Sequence, residues 1–142
     1  MIFRRMTEND LDKVAAMEKE IFSMPWSKES FRESLSQNYS YFFVAEEGDI
    51  LGYCGVHNFG GDGEITNVAV DKNARGQGVA TKMLHYAMEE TKKIGVEAFT
   101  LEVRVSNTNA IGLYEKLGFE NKGIRKNFYE NPVEDAMIMW KI

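Results

Sequence analysis

The chain has 142 residues, 44% of them hydrophobic, and a formal net charge of −5, which is enough for one domain with a core of its own. The acidic balance excludes a general nucleic-acid binder, whose surface is usually basic, and favours cationic partners such as amines or basic peptides. A single cysteine, Cys54, excludes an internal disulfide and fits a reducing cytoplasm; with no apolar leader after Met1 and no long apolar run, we expect one cytoplasmic domain over 1–142, with neither signal peptide nor membrane span.

A short strand over 2–5 comes first. Thr7 and Asp10 have the spacing of a capping box. Leu11, Val14, Ala15, Ile21 and Phe22 then follow helical spacing. Ser27 caps a second helix that carries Phe31 and Leu35 on one face. Strands over 41–46 and 50–59 flank a hairpin turn at Glu47-Gly48-Asp49, and a third strand covers 64–70. A helix with the stripe Ala80, Leu84, Ala87, Thr91 and Ile94 follows, with Gly95 as its C′ residue. Residues 98–104 alternate, Phe99, Leu101 and Val103 on one face, Thr100, Glu102 and Arg104 on the other. A short helix carries Ala110, Ile111, Tyr114 and Leu117 and ends at Gly118, and strands over 119–129 and 136–142 close the chain. The order β-α-α-β-β-β-α-β-α-β-β predicts an α/β domain around a central mixed, mostly antiparallel sheet flanked by helices.

The most informative segment is Val68-Ala69-Val70-Asp71-Lys72-Asn73-Ala74-Arg75-Gly76-Gln77-Gly78-Val79-Ala80-Thr81. A strand ends, a loop of small residues follows, and a helix begins. Such a loop lets backbone N–H groups approach an anion, and the helix dipole favours negative charge there. A pyrophosphate is the natural ligand; a tight turn that uses glycine only for its dihedrals is the alternative on these residues alone. A P-loop would need Gly-Lys-Ser/Thr, which is absent, and a dinucleotide fingerprint starting at Gly76 would need glycine or alanine where Thr81 stands.

Arg75-Gly76-Gln77-Gly78-Val79-Ala80 resembles the acetyl-CoA signature R/Q-x-x-G-x-G/A of the GNAT acetyltransferases. Leu101-Glu102-Val103-Arg104-Val105-Ser106-Asn107 and the run from Ala110 to Phe119 are similar to the RimI branch of that family, as are Pro25-Trp26-Ser27 and Glu134-Asp135-Ala136-Met137-Ile138-Met139. The departures are Ala80 where many members have glycine, Gly112 where alanine is usual, and Phe128 where tyrosine is common. The resemblance implies a GNAT fold and transfer of an acetyl group from acetyl-CoA, as co-substrate, to the N-terminal α-amine of a small-subunit ribosomal protein, with no metal. It implies that Val68, Ala69 and Val70 hold the pantetheine arm and acetyl carbonyl through their backbone, that the amides from Gly76 to Thr81, in the loop opened by Arg75, cradle the pyrophosphate, and that Asn107 hydrogen-bonds the cofactor. Glu102 is then the general base and Tyr114 the general acid. On the residues alone, a strand glutamate is ordinarily solvated or paired with a neighbour such as Arg104, and a tyrosine on a helix stripe is ordinarily core.

A protonated amine cannot attack a thioester. With reference pKa values of ~7.7–8.0 for an α-amine and ~10.4 for lysine, deprotonation at pH 7 costs about 1 kcal/mol for the first and nearly 5 kcal/mol for the second. One carboxylate is suited to the first task. Tyrosine titrates near ~10 and a leaving thiol near ~8.5, so proton donation by Tyr114 is uphill unless its site lowers its pKa, and part of its role is a hydrogen bond to the departing sulfur. His57 and His85 lack ligand spacing and read as structural or surface residues. Cys54 reads as a small core residue without a base beside it, and Glu89-Glu90 with Lys92-Lys93 as a solvated helix face. Trp26 reads either as part of a peptide entrance, with the 129–135 loop, or as a core anchor for the second helix. Acetylation of lysine or of small amines, and non-catalytic acyl-CoA sensing, are the alternative functions. The acceptor's identity and the oligomeric state are not encoded in any motif.

Overall fold

In the computed structural model, which describes residues 1–142, the elements run β1 (Ile2–Arg5), α1 (Leu11–Ile21), α2 (Lys28–Leu35), β2 (Ser40–Glu47), β3 (Asp49–Phe59), β4 (Asp62–Val70), α3 (Val79–Lys92), β5 (Ala98–Arg104), α4 (Thr108–Lys116), β6 (Glu120–Tyr129) and β7 (Glu134–Lys141). Their order is the predicted one. The seven strands form one sheet in the order β1-β2-β3-β4-β5-β7-β6. Every neighbouring pair is antiparallel except β4 with β5. This is the GNAT-type mixed sheet flanked by helices that the resemblance implies. No helix is long and apolar enough to cross a membrane.

Helices cover both faces of the sheet. On one, α3 and α4 bury Val79, Met83, Leu84, Ala87, Met88 and Tyr114 against sheet residues that include Phe43, Cys54, Val56, Phe99 and Leu101. On the other, Leu11, Val14 and Met17 of α1 and Phe31 of α2 pack on Phe42, Val44, Tyr53 and Ala69. The Ser27 hydroxyl caps α2 by accepting from the Ser30 N–H at 3.1 Å, and Asp10 accepts from the Thr7 N–H at 2.8 Å.

Three local expectations need correction. The predicted α3 stripe omits Val79, Met83 and Met88, all buried, and includes Ile94, which is 47% exposed. The helix ends at Lys92, so Ile94 lies in the turn beyond it and no longer follows the stripe. The predicted α1 stripe omits Met17 and Glu18, both buried, whereas Ala15, Ile21 and Phe22 are only half-buried. The strand ending at Val70 starts at Asp62 rather than 64 and is not regular. Tyr53 pairs with Ala69 and Gly55 with Thr66, so Asn67 and Val68 together stand opposite Cys54. Asn67 has φ 49°, a left-handed conformation that asparagine tolerates better than most residues. Such a bulge bends its strand.

Candidate active site

β4 and β5 pair through only three positions, Asp62 with Ala98, Gly63 with Phe99 and Glu64 with Thr100. Beyond Glu64 the bulged β4 diverges and the sheet opens. Val68, Ala69 and Val70 lie on the β4 side of this opening, and Glu102 lies on the β5 side. α3 begins where β4 and its following loop end.

The loop is built for close approach. Gly76 and Gly78 have φ of 77° and 76°, which L side chains rarely adopt. A Cβ at Gly76 would meet nothing within 4 Å, and one at Gly78 only Lys82 Cε at 3.9 Å. The space in front of both residues is therefore open. Gly78 is the N-cap of α3 and supplies no capping side chain, and no acidic residue sits in the first turn. The first N–H groups of a helix have no intrahelical acceptor, so those of Val79, Ala80 and Thr81 remain to bind an anion with the dipole behind them. Gln77 is exposed, with its amide directed to the Asn73 carbonyl at 3.5 Å. Arg75 Nε donates to the Val70 carbonyl at 3.1 Å and ties the loop back to β4. These residues fit a pyrophosphate-bearing co-substrate. A separate cavity of about 510 Å³ lies between α1 and the start of the loop. Glu20 and Asp71 line it beside Lys72 and Arg75, so it offers an anion mixed charge and not a cradle. Asn107 Oδ1 already accepts from the Ala110 N–H at 3.2 Å as the cap of α4; its amide nitrogen is left free to donate a further bond.

Glu102 lies on the polar side of β5, as the alternation predicts, with its side chain 23% exposed. Its neighbour is Arg125 of β6 and not Arg104: Arg125 Nη1 lies 3.2 Å from Glu102 Oε2. The approach is not aligned for a hydrogen bond, and that buried oxygen has no donor. Burial raises the Glu102 pKa, Arg125 opposes the rise, and Glu64 adds to it. Arg104 is engaged elsewhere. It donates to the carbonyls of Pro132 and Glu130, both at 2.9 Å, pairs with Glu134 at 3.2 Å and lies 4.4 Å from the centre of the Tyr129 ring. It thereby clamps the turn between β6 and β7.

Tyr114 belongs to the core under α3 and α4, on the other face of the sheet, and is 7% exposed. Burial raises its pKa well above the ordinary tyrosine value, with Tyr129 and Cys54 adding to the effect. The site therefore does not make Tyr114 a stronger acid. Tyr129, which the sequence reading leaves as a loop boundary, is itself raised by burial and then by Glu102. It lies within electrostatic range of both Glu102 and Tyr114. Cys54 is fully buried, and burial pushes its thiol up to about 12.

His57 is half-buried and stacks on Tyr39 at 5.5 Å, a packing role, while His85 is exposed. Trp26 packs on Phe31 at 5.3 Å and Phe42 at 6.0 Å, so its ring anchors α2. Lys92 and Lys93 pair with Glu89 and Glu90 on an exposed helix face. Sequence reasoning missed Arg125, Asn67 and Glu18. The last had a legible signal, because it falls on the α1 stripe four residues after Val14 and seven after Leu11.

The acetyltransferase (GNAT) family profile matches residues 11–119. A Bacillus subtilis protein that bears the provisional name ribosomal protein bS18-alanine N-acetyltransferase is 42% identical over 96% of this chain and 92% of its own. The Escherichia coli K12 ribosomal protein bS18-alanine N-acetyltransferase is 33% identical over 92% of this chain and 89% of its own. The crystal structure of the ribosomal-protein-S18-alanine N-acetyltransferase from Escherichia coli superposes with a TM-score of 0.89 at 30% identity, covering 99% of this chain and 92% of that one. Ard1 from Thermoplasma volcanium shares the fold, with a TM-score of 0.90 at 21% identity over 99% of this chain and 96% of its own.

Proposed function

The chain belongs to the GNAT acetyltransferase family, in its RimI-like group, and on that premise we propose that it transfers an acetyl group from acetyl-CoA to the N-terminal α-amine, Ala or Ser, of a ribosomal protein. One observation carries this reading. β4 and β5 pair only as far as Glu64 and Thr100; the open, glycine-built start of α3 follows the far end of β4, and Glu102 lies beyond the paired stretch on β5. On this reading an anionic carrier held at the α3 start reaches along the β4–β5 opening toward Glu102.

Direct transfer follows. The free amine nitrogen attacks the acetyl carbonyl carbon, the new C–N bond forms, and the C–S bond breaks with its electrons going to sulfur. Glu102 accepts the proton that the amine loses, directly or through water. Backbone N–H groups of Val68 to Val70 stabilise the carbonyl oxygen as it gains charge. Tyr114 approaches from the opposite face and donates a hydrogen bond to the leaving sulfur. Its raised pKa favours that role over full proton transfer ahead of bond cleavage. The buried Cys54 thiol is a poor nucleophile, which supports transfer without an acetyl-cysteine intermediate. Glu102 also suits an α-amine better than a lysine, by almost 4 kcal/mol on the reference pKa difference.

The test is a pair of matched peptides with acetyl-CoA, read by mass spectrometry. One has a free Ala or Ser N-terminus and no lysine; the other is N-terminally blocked with one lysine near its start. Faster modification of the first is expected. Faster modification of the second overturns the α-amine assignment and keeps the acetyltransferase. Tight acetyl-CoA binding with no transfer to any amine overturns the enzymatic reading.

A further inference from the structure

Glu18 is a carboxyl group 2% exposed to solvent near the end of α1. Four contacts reach it, and none comes from a cation. The Tyr53 hydroxyl donates to Oε1 at 2.8 Å, and the backbone N–H of Trp26 donates to Oε2 at 3.0 Å. Asn67 Nδ2 donates to both oxygens at 3.4 Å. Taking a carboxylate out of water without a counter-charge is costly unless hydrogen bonds replace the lost solvent. A leucine at this stripe position would fill the core more cheaply. What the carboxyl adds is connection, because its partners come from three separate pieces of the molecule. Tyr53 is on β3. Trp26 is in the loop between α1 and α2, and its N–H would otherwise have no acceptor. Asn67 is the left-handed residue of the bulge that opens β4 from β5. An ionised carboxylate only accepts, so it also fixes which end of the Asn67 amide faces it.

We infer that Glu18 is a positioning residue for the acceptor: it ties the α1–α2 loop at Trp26 to the β4 bulge at Asn67 and so holds fixed the wall past which an acceptor chain reaches the β4–β5 opening. The other ring contacts of Trp26, on Phe31 of α2 and Phe42 of β2, do not reach the bulge. No side-chain hydrogen bond joins the α3 cradle to this network. The inference rests on the acetyltransferase reading but not on the choice between α-amine and lysine.

The experiment compares wild type, Glu18→Gln and Glu18→Ala with the best peptide acceptor found in the matched-peptide test. Steady-state kinetics give acceptor KM and kcat, calorimetry gives acetyl-CoA affinity, and hydrogen exchange reads the Trp26 amide. Glu18→Ala is expected to raise acceptor KM about tenfold, the usual scale for losing hydrogen bonds to a charged group, with a smaller change in acetyl-CoA affinity and faster Trp26 exchange. Glu18→Gln keeps the shape and one acceptor oxygen and should fall between the two. A lower melting temperature with unchanged KM in Glu18→Ala overturns the inference and leaves Glu18 a packing residue. Should Glu18→Ala fail to fold, Glu18→Gln decides: wild-type KM together with wild-type Trp26 exchange overturns the proposal. If wild type acetylates only the lysine peptide, the α-amine reading falls, while the KM comparison on that peptide still tests Glu18.

Discussion

The two sides of the β4–β5 opening are made from different materials. The α3 side is backbone: two left-handed glycines and a helix start with unpaired N–H groups. The β5 side is side chains: Glu102 set against Arg125, and Tyr129 stacked under Arg104. Backbone donors carry no titratable proton and keep their direction as long as the fold holds. Side-chain groups respond to pH, to salt and to each neighbour. One side should therefore fail only when its geometry is disturbed, and the other when its charges are.

The largest expected effect is on the side-chain half. Glu102→Gln should lower kcat by ~10²–10⁴-fold, the usual general-base contribution, with acetyl-CoA affinity unchanged by calorimetry. The defect should shrink as pH rises and more amine is free. Turnover at the wild-type level at pH 7 would remove Glu102 as the base and with it the contrast between the halves.

A smaller effect is expected on the backbone half. In Gly78→Val the loop should relax out of its left-handed turn, and restoring the turn on binding would cost ~1–2 kcal/mol, or about tenfold in acetyl-CoA affinity. Gly78→Ala shares the dihedral problem without the bulk, so the difference between the two reports the space in front of the loop. Equal affinity in wild type and both variants would place the pyrophosphate elsewhere. Neither substitution should change the shape of the pH–rate profile.

The smallest effect sharpens the comparison by charge alone. Glu102 works as a base only when deprotonated, and burial raises its pKa above the ordinary carboxylate value, so activity should be lost on acidification before an unperturbed carboxylate would titrate. Arg125 opposes the rise. Arg125→Gln should therefore move the acid limb of the kcat/KM profile to higher pH. Added salt should shift the wild type the same way, because Arg125 is 56% exposed and its field is screened. An acid limb that does not move in either case would mean that another group sets it.

The same division decides what the sequence could reveal. The cradle is local: Arg75 to Ala80 is contiguous, and glycines at two-residue spacing before a helical stripe state the geometry directly. The order of elements was legible for the same reason, since each strand and helix carries its own period. The polar face of β5 was legible from alternation, but its partners were not. Arg125 reaches Glu102 only because β7 lies between β5 and β6, a pairing that no local pattern states. The bulge at Asn67 was hidden because Glu64 to Val70 reads as a plain strand, and the irregularity exists only against the register of β3. Glu18 was legible in part. Its place on an apolar stripe marks it as unusual, while its three partners come from distant parts of the chain.

The short β4–β5 ladder has one more consequence, for association between copies. A sheet usually ends in rim strands, and rims invite another chain to add on. Here β6 is such a rim and is guarded by charge, with Glu120, Lys122, Arg125 and Lys126 along it. The opening creates two further unpaired edges in the interior of the sheet, where a guard of charges would obstruct the gap. Shape guards them instead. The bulge twists β4 away from a straight template, and Arg75 occupies the Val70 carbonyl at the outer end. The distortion that makes room for a ligand also keeps a stray strand from completing the ladder.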